Sequence, residues 1–275
     1  MILLYLLCVL IQTNAKSVMP WICLERCDSD QDIKKQIDEI VDHSKDLTAV
    51  AFEMFNLGPN SELVFNNFTN ITQLLQQLNL KSYAMISSYP YPKDFIVWMR
   101  QLFKNPQPFF KDCITWSKIF QFTGFNVDFE PDAGIIPSDA DDYVKFLNEF
   151  ADVLHQNNLE LTVDIATWST LWDWPKLSQT KVDKFMIMST YTGNETAWLI
   201  DFNKAIKDFP VEKIGIGLQT VNPNTGQPLT DQELEFRFQH ILGGGIQEID
   251  IWRMPIYQNW WGYIQQFLTP NSQPN

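Results

Sequence analysis

Thr123-Gly124-Phe125-Asn126-Val127-Asp128-Phe129-Glu130-Pro131 alternates apolar and polar side chains. On an extended strand Phe125, Val127 and Phe129 therefore share one face, and Asn126, Asp128 and Glu130 the other. Two carboxylates and an amide stacked on one face are expensive to bury unless they hydrogen-bond or meet a substrate. In a barrel the apolar set meets the surrounding helices and the polar set points into the interior. Glu130 stands last, and Pro131 then ends the strand and opens a loop, at the C-terminal end where barrel enzymes place catalytic groups. A carboxylate beside a second one in that position is expected to keep its proton above the ordinary range and to act as a general acid. The competing use of the same residues is a closed polar network that only fixes the core.

Seven similar runs flank this one. Short apolar or β-branched stretches begin near Met19, Thr48, Ser82, Gly124, Glu160, Lys184, Lys213 and Gln247, about 33 residues apart, the length of one βα unit. Amphipathic stretches separate them. Tyr143, Phe146, Leu147, Phe150, Val153 and Leu154 keep helical spacing, with Ser138 as the expected N-cap, and Ile33, Ile37, Ile40 and Val41 do the same after the first run. Thr230-Asp231-Gln232-Glu233 is a capping box for a helix that Gly243-Gly244-Gly245 ends. Pro175 leaves room for only a short helix after the fifth run. The pattern predicts the α/β class, a single (β/α)8 TIM barrel over residues 16–268 with a loose tail at 269–275. An open doubly wound sheet fits less well, since no Gly-rich phosphate loop follows the first strand.

The length of 275 residues suits one such barrel, and 45% hydrophobic residues exclude a disordered chain. With 20 basic against 33 acidic residues, a net charge of −13, neither nucleic acid nor an anionic membrane surface is an expected partner. Residues 1–11 are almost purely apolar and too few to span a bilayer, and Ala15 suits signal-peptidase cleavage. A cleaved leader at 1–15 is expected, hence a secreted or secretory-lumen monomer without a membrane span. Removing the leader leaves Cys23, Cys27 and Cys113, which allow at most one intramolecular bridge. Asn67, Asn70 and Asn194 open N-glycosylation tripeptides. His43, His155 and His240 fall in predicted helices without paired ligand spacing, so neither a metal nor another cofactor is expected, and no Gly-x-Ser-x-Gly elbow occurs.

The strand around Asp128 resembles the fourth-strand signature of glycoside hydrolase family 18, the chitinases and related hexosaminidases, Asp-Gly-x-Asp-x-Asp-x-Glu. Thr123 stands at its first Asp, Asn126 at its second, and Asp128 and Glu130 match the two positions closest to the chemistry. Val182 to Tyr191 is similar to the family's sixth strand, which ends in Met-x-Tyr-Asp. Here one more residue separates Met188 from Tyr191, and Thr192 replaces the Asp. Lys213 to Leu218 is similar to the seventh strand, and Ile249-Asp250-Ile251-Trp252 to the eighth, whose Trp floors the sugar pocket.

The resemblance implies a glycosidase acting on N-acetylglucosamine-containing glycans by substrate-assisted retention, an exception to the two-carboxylate scheme. Glu130 would then protonate the glycosidic oxygen and later activate water. Asp128 would orient the acetamido group and stabilise its developing charge, and Tyr191 would hydrogen-bond the acetamido carbonyl. Asn126 in place of Asp removes a charge that could share a proton with Asp128, though an amide can still hydrogen-bond it. Asn126, Trp252, Trp168 and Glu53 are the candidate substrate-binding residues. Tyr89 and Tyr91 also stand near a strand end, where rings can stack on sugars. Asp164 is read as structural, and Asp250 as part of a polar set on the barrel floor. Two other readings stay open. One is a lectin-like barrel that has lost turnover, against which Glu130 is retained. The other is a glycosidase using Glu53 or Asp164 as nucleophile, with carboxyl groups about 5 Å apart.

Overall fold

The computed structural model describes residues 16–27, 29–68, 70–131 and 133–269. The expected leader at 1–15 and all but the first residue of the expected tail lie outside the described residues. The chain runs β1 (Ser17–Ile22), α1 (Asp30–Asp42), β2 (Ala49–Leu57), β3 (Leu63–Phe65), α2 (Asn70–Gln77), β4 (Lys81–Ser87), α3 (Phe95–Lys104), α4 (Gln107–Phe120) and β5 (Gly124–Asp128). It continues through α5 (Pro137–His155), β6 (Glu160–Ile165), α6 (Trp174–Leu177), β7 (Lys184–Ile187), α7 (Glu195–Asp208), β8 (Ile214–Gln219), α8 (Asp231–Gly243), β9 (Glu248–Trp252) and α9 (Trp261–Leu268). β1, β2, β4, β5, β6, β7, β8 and β9 pair in parallel in that order, and β9 and β2 both pair with β1, so the sheet closes on itself. This is a (β/α)8 barrel, and each strand begins within two residues of the start read from the sequence. β3 is an addition, an antiparallel ribbon on β2.

Two cores hold the barrel. Phe125, Val127 and Phe129 are fully buried between sheet and helices. Phe125 packs against Phe122 at 5.5 Å and Phe150 at 6.2 Å, and Phe129 against Phe95 at 5.5 Å. Inside the barrel a smaller cluster of Met19, Trp21, Ala49, Ala51, Tyr83, Met85 and Met186 fills the lower layers. Trp260 and Trp261 are core residues of the last helical segment.

Several local expectations change. α5 begins at Pro137, not after Ser138, because proline suits the first helical position and the Asp139 carboxylate accepts from the Ile136 N–H at 2.8 Å. Asp139, one of the closely spaced acids Asp139, Asp141 and Asp142, is buried, with Arg100 donating two bonds of 2.8 Å to it. Val41 is exposed. Gln36 lies inside α1 instead, accepting from Cys23 N–H at 3.0 Å and donating to Cys27 Sγ at 2.9 Å. Cys23, Cys27 and Cys113 are all free thiols. The capping box at Thr230 and Glu233 forms as read.

Candidate active site

The C-terminal mouth of the barrel holds a cavity of about 340 Å³. β5 delivers Asp128 as its last residue, and two residues later Glu130 reaches the rim. The backbone there is fixed from the neighbouring β4 end, since Ser88 N–H donates to Asp128 O at 3.0 Å and Glu130 N–H donates to Ser88 Oγ at 3.1 Å. Asp128, Glu130, Tyr191, Trp168 and Trp252 all line this cavity, together with Arg26. A second cavity of about 640 Å³ opens on the other side of Glu130 and Trp168, along Gly134 and Ile135. Glu130 and Trp168 therefore stand where two compartments meet, and Trp168 is 57% exposed.

Burial, reinforced by the neighbouring Asp128 charge, pushes the Glu130 carboxyl up to about 8. Tyr91 OH donates to its Oε1 at 3.1 Å and pulls the other way. Asp128 is also raised by burial, with Arg26 as the largest opposing influence. A half-buried acid that keeps its proton at neutral pH, beside a carboxylate held near a cation, can donate that proton to a leaving group.

Tyr191 reaches the same cavity by an irregular route. β7 stops at Ile187, and a 3₁₀ turn over Met188–Thr190 follows. Thr190 Oγ1 ties that turn to the carbonyls of Ile187 and Gly217, each at 2.7 Å. The extra residue between Met188 and Tyr191 falls in this turn. The Tyr191 ring packs so closely on β8 that a Cβ at Gly217 would stand 2.8 Å from its Cε1 and 2.5 Å from Ile187 O. Burial and the nearby carboxyls of Asp164, Asp250, Asp128 and Glu130 hold the Tyr191 hydroxyl in its protonated form.

The remaining candidates divide. Asn126 does not bond Asp128; its amide donates to Thr162 Oγ1 at 3.0 Å and Asp164 Oδ1 at 2.9 Å in the buried interior. Asp164 lines the floor of the cavity with that bond made. Asp250 is fully buried, and a Cβ at Gly215 would collide with its Oδ2 at 1.8 Å, so a glycine is required there. Glu53 is not a free substrate-facing carboxylate. Its Oε2 accepts from the backbone N–H groups of Leu24, Glu25 and Arg26 at 2.8, 2.7 and 3.0 Å, and its Oε1 pairs with Arg26 Nε. That leaves the two-carboxylate scheme without Glu53 as its nucleophile. Tyr91 enters through its hydroxyl on Glu130 as well as through its ring, while Tyr89 is 5.7 Å from the Arg26 guanidinium. Arg26 and Trp21 are site residues that sequence reasoning missed. A basic residue just past the end of the first barrel strand was the available signal for Arg26.

No protein-family model matches the sequence, and no curated protein does. Solved structures match in fold. A chitinase from Chromobacterium violaceum ATCC 12472 superposes with a TM-score of 0.76 at 13% identity, over 94% of this chain and 100% of that one. The spore cortex-lytic enzyme SleL of Bacillus megaterium QM B1551 gives 0.76 at 13% identity, over 94% and 75%. A class V chitinase from Nicotiana tobaccum, in complex with NAG4, gives 0.72 at 13% identity, over 93% and 99%. This chain has the (β/α)8 fold of those chitinases and of SleL.

Proposed function

We propose that this protein is a chitinase-type glycoside hydrolase that cleaves N-acetylglucosamine-containing glycans by substrate-assisted retention. The observation that carries the reading is Glu130 itself, an acid pushed up to about 8 at the junction of two cavities, with Asp128 and Tyr191 lining the same cavity. A sugar seated in the inner cavity puts its glycosidic oxygen within reach of Glu130. The proton passes to that oxygen as the C1–O bond breaks and the 2-acetamido oxygen bonds C1 from the opposite face. Asp128 stabilises the oxazolinium charge, and Tyr191 holds the acetamido carbonyl. Water then attacks C1, giving its proton to Glu130 and restoring the acid. Trp252 supplies an apolar face for the ring, and Trp168 a second one at the rim. The apolar leader makes this a secreted activity.

Release of chromophore from a chromogenic chito-oligosaccharide tests the proposal. Wild type turns over, and Glu130→Gln lowers kcat by about 100-fold or more while oligosaccharide binding persists. Binding without turnover in wild type would point instead to a lectin-like barrel.

A further inference from the structure

Arg26 brings a positive charge to a place where the fourth-strand motif supplies none. It lies on the loop after β1, and the loop is clamped by the Glu53 carboxylate through three backbone N–H groups and the Arg26 Nε. Its guanidinium carbon stands 5.0 Å from the Trp252 ring centroid and 5.7 Å from that of Tyr89, so aromatic faces confine it. The two terminal nitrogens then divide. Nη2 donates to Asp128 Oδ2 at 3.5 Å, and Nη1 donates to Tyr91 OH at 3.1 Å, which in turn donates to Glu130 Oε1 at 3.1 Å. One side chain is thereby connected to both carboxyl groups of the site.

Asp128 depends on that connection. Its Oδ1 has no hydrogen-bond partner among the described residues, and the Asn126 amide is turned away to Thr162 and Asp164. The carboxyls of Glu53 and Asp164 act against its charge, Glu130 hydrogen-bonds it, and the hydroxyls of Tyr91, Tyr143 and Tyr191 lie around it. Arg26 is the cation that acts on it. A buried carboxylate among acids, with no cation beside it, takes up a proton and loses its ability to stabilise a cationic intermediate.

We propose that Arg26 is the positioning residue of this site, holding Asp128 as a carboxylate and orienting Glu130 through Tyr91, where Asn126 leaves no second aspartate to partner Asp128. The proposal rests on the roles given above to Asp128 and Glu130. Its test is a carboxyl ¹³C NMR titration of the full chain, with Asp128 assigned by the loss of its signal in Asp128→Asn. In Arg26→Met the Asp128 midpoint moves up by about 1–3 pH units, the usual effect of removing an adjacent guanidinium. In Arg26→Lys, which keeps the charge, it stays near wild type. Arg26→Gln, neutral but still able to hydrogen-bond Glu53 and Tyr91, gives the same upward shift and serves if the methionine variant does not fold. Where turnover is measurable, the acid limb of kcat/KM moves with the titration. An Asp128 midpoint unchanged in the neutral variants overturns the proposal. The titration needs no turnover, so a wild type inactive on chito-oligosaccharides would refute the glycosidase reading and leave this result to be judged alone.

Discussion

Glu130→Gln separates the chemistry of the acid from its effect on stability. Burial and the Asp128 charge raise Glu130 from 4.5 to about 8 in the folded chain. A folded-state value above the unfolded one means that the native protein binds this proton more tightly. The stability it contributes is fully present below pH 4.5 and is lost as the pH climbs toward 8. The loss runs at about 1.36 kcal/mol per pH unit and levels off at the folded value, so wild type loses about 2 kcal/mol between pH 6 and 8. Glutamine keeps the shape and a hydrogen-bond donor but cannot ionise, so the variant escapes the loss. Equilibrium urea unfolding, followed by tryptophan fluorescence at pH 6 and pH 9, reads the difference. The gap between variant and wild type should widen in the variant's favour by about 2–3 kcal/mol from the lower to the higher pH. Carboxyls that do not interact with Glu130 titrate alike in both proteins and cancel. Parallel pH–stability curves would refute the assignment of a raised, buried acid at Glu130. Turnover follows the same sign, since the acid must be protonated, and should fall above about pH 8.

Two further substitutions probe the supports of the site. Gly217→Ala places a methyl against Ile187 O and the Tyr191 ring, and is expected to cost about 1–3 kcal/mol of stability in urea and to lower kcat more than it raises KM. An alanine variant as stable and active as wild type would show that Tyr191 does not need its present position. Glu53→Ala strips the clamp from three backbone N–H groups and from Arg26. A loss of about 3–5 kcal/mol by urea unfolding is expected for one partner removed from a buried pair, and a loss under 1 kcal/mol would sink that account.

Strand starts, the outward face of Phe125, Val127 and Phe129, and the box at Thr230 were legible in the sequence because each depends on neighbours a few residues away. Strand alternation also put Asn126, Asp128 and Glu130 on one side, though β5 itself ends at Asp128. The partners of these groups were not legible. Asp139 reads as one acid in an acidic run, yet Arg100 from α3 reaches it and it is buried. Gln36 interrupts an apolar helix face and is drawn inward by the Cys23 backbone. In both cases a partner 13 or 39 residues away, a backbone N–H for Gln36 and a guanidinium for Asp139, decides the burial, and neither pattern nor propensity encodes that distance.

Glu53 shows why the inner carboxylates cannot be sorted by strand position alone. Glu53 stands mid-strand in β2 and Asp128 ends β5, yet both are almost wholly buried. The difference lies in what the adjacent loop offers. The turn after β1 aims three N–H groups and a guanidinium nitrogen at Glu53, which fills its acceptor positions with protein donors and leaves none for a ligand. Asp128 receives the far end of the same arginine and a hydrogen bond from Glu130, keeps its Oδ1 without a partner among the described residues and borders an open cavity. A carboxylate with satisfied oxygens holds a loop, and one left half-satisfied beside a cavity is available to a substrate. Because Arg26 joins the two, the order in the β1 loop that Glu53 provides is also what places a charge at Asp128, so the structural and the reactive carboxylate are supports of one arrangement.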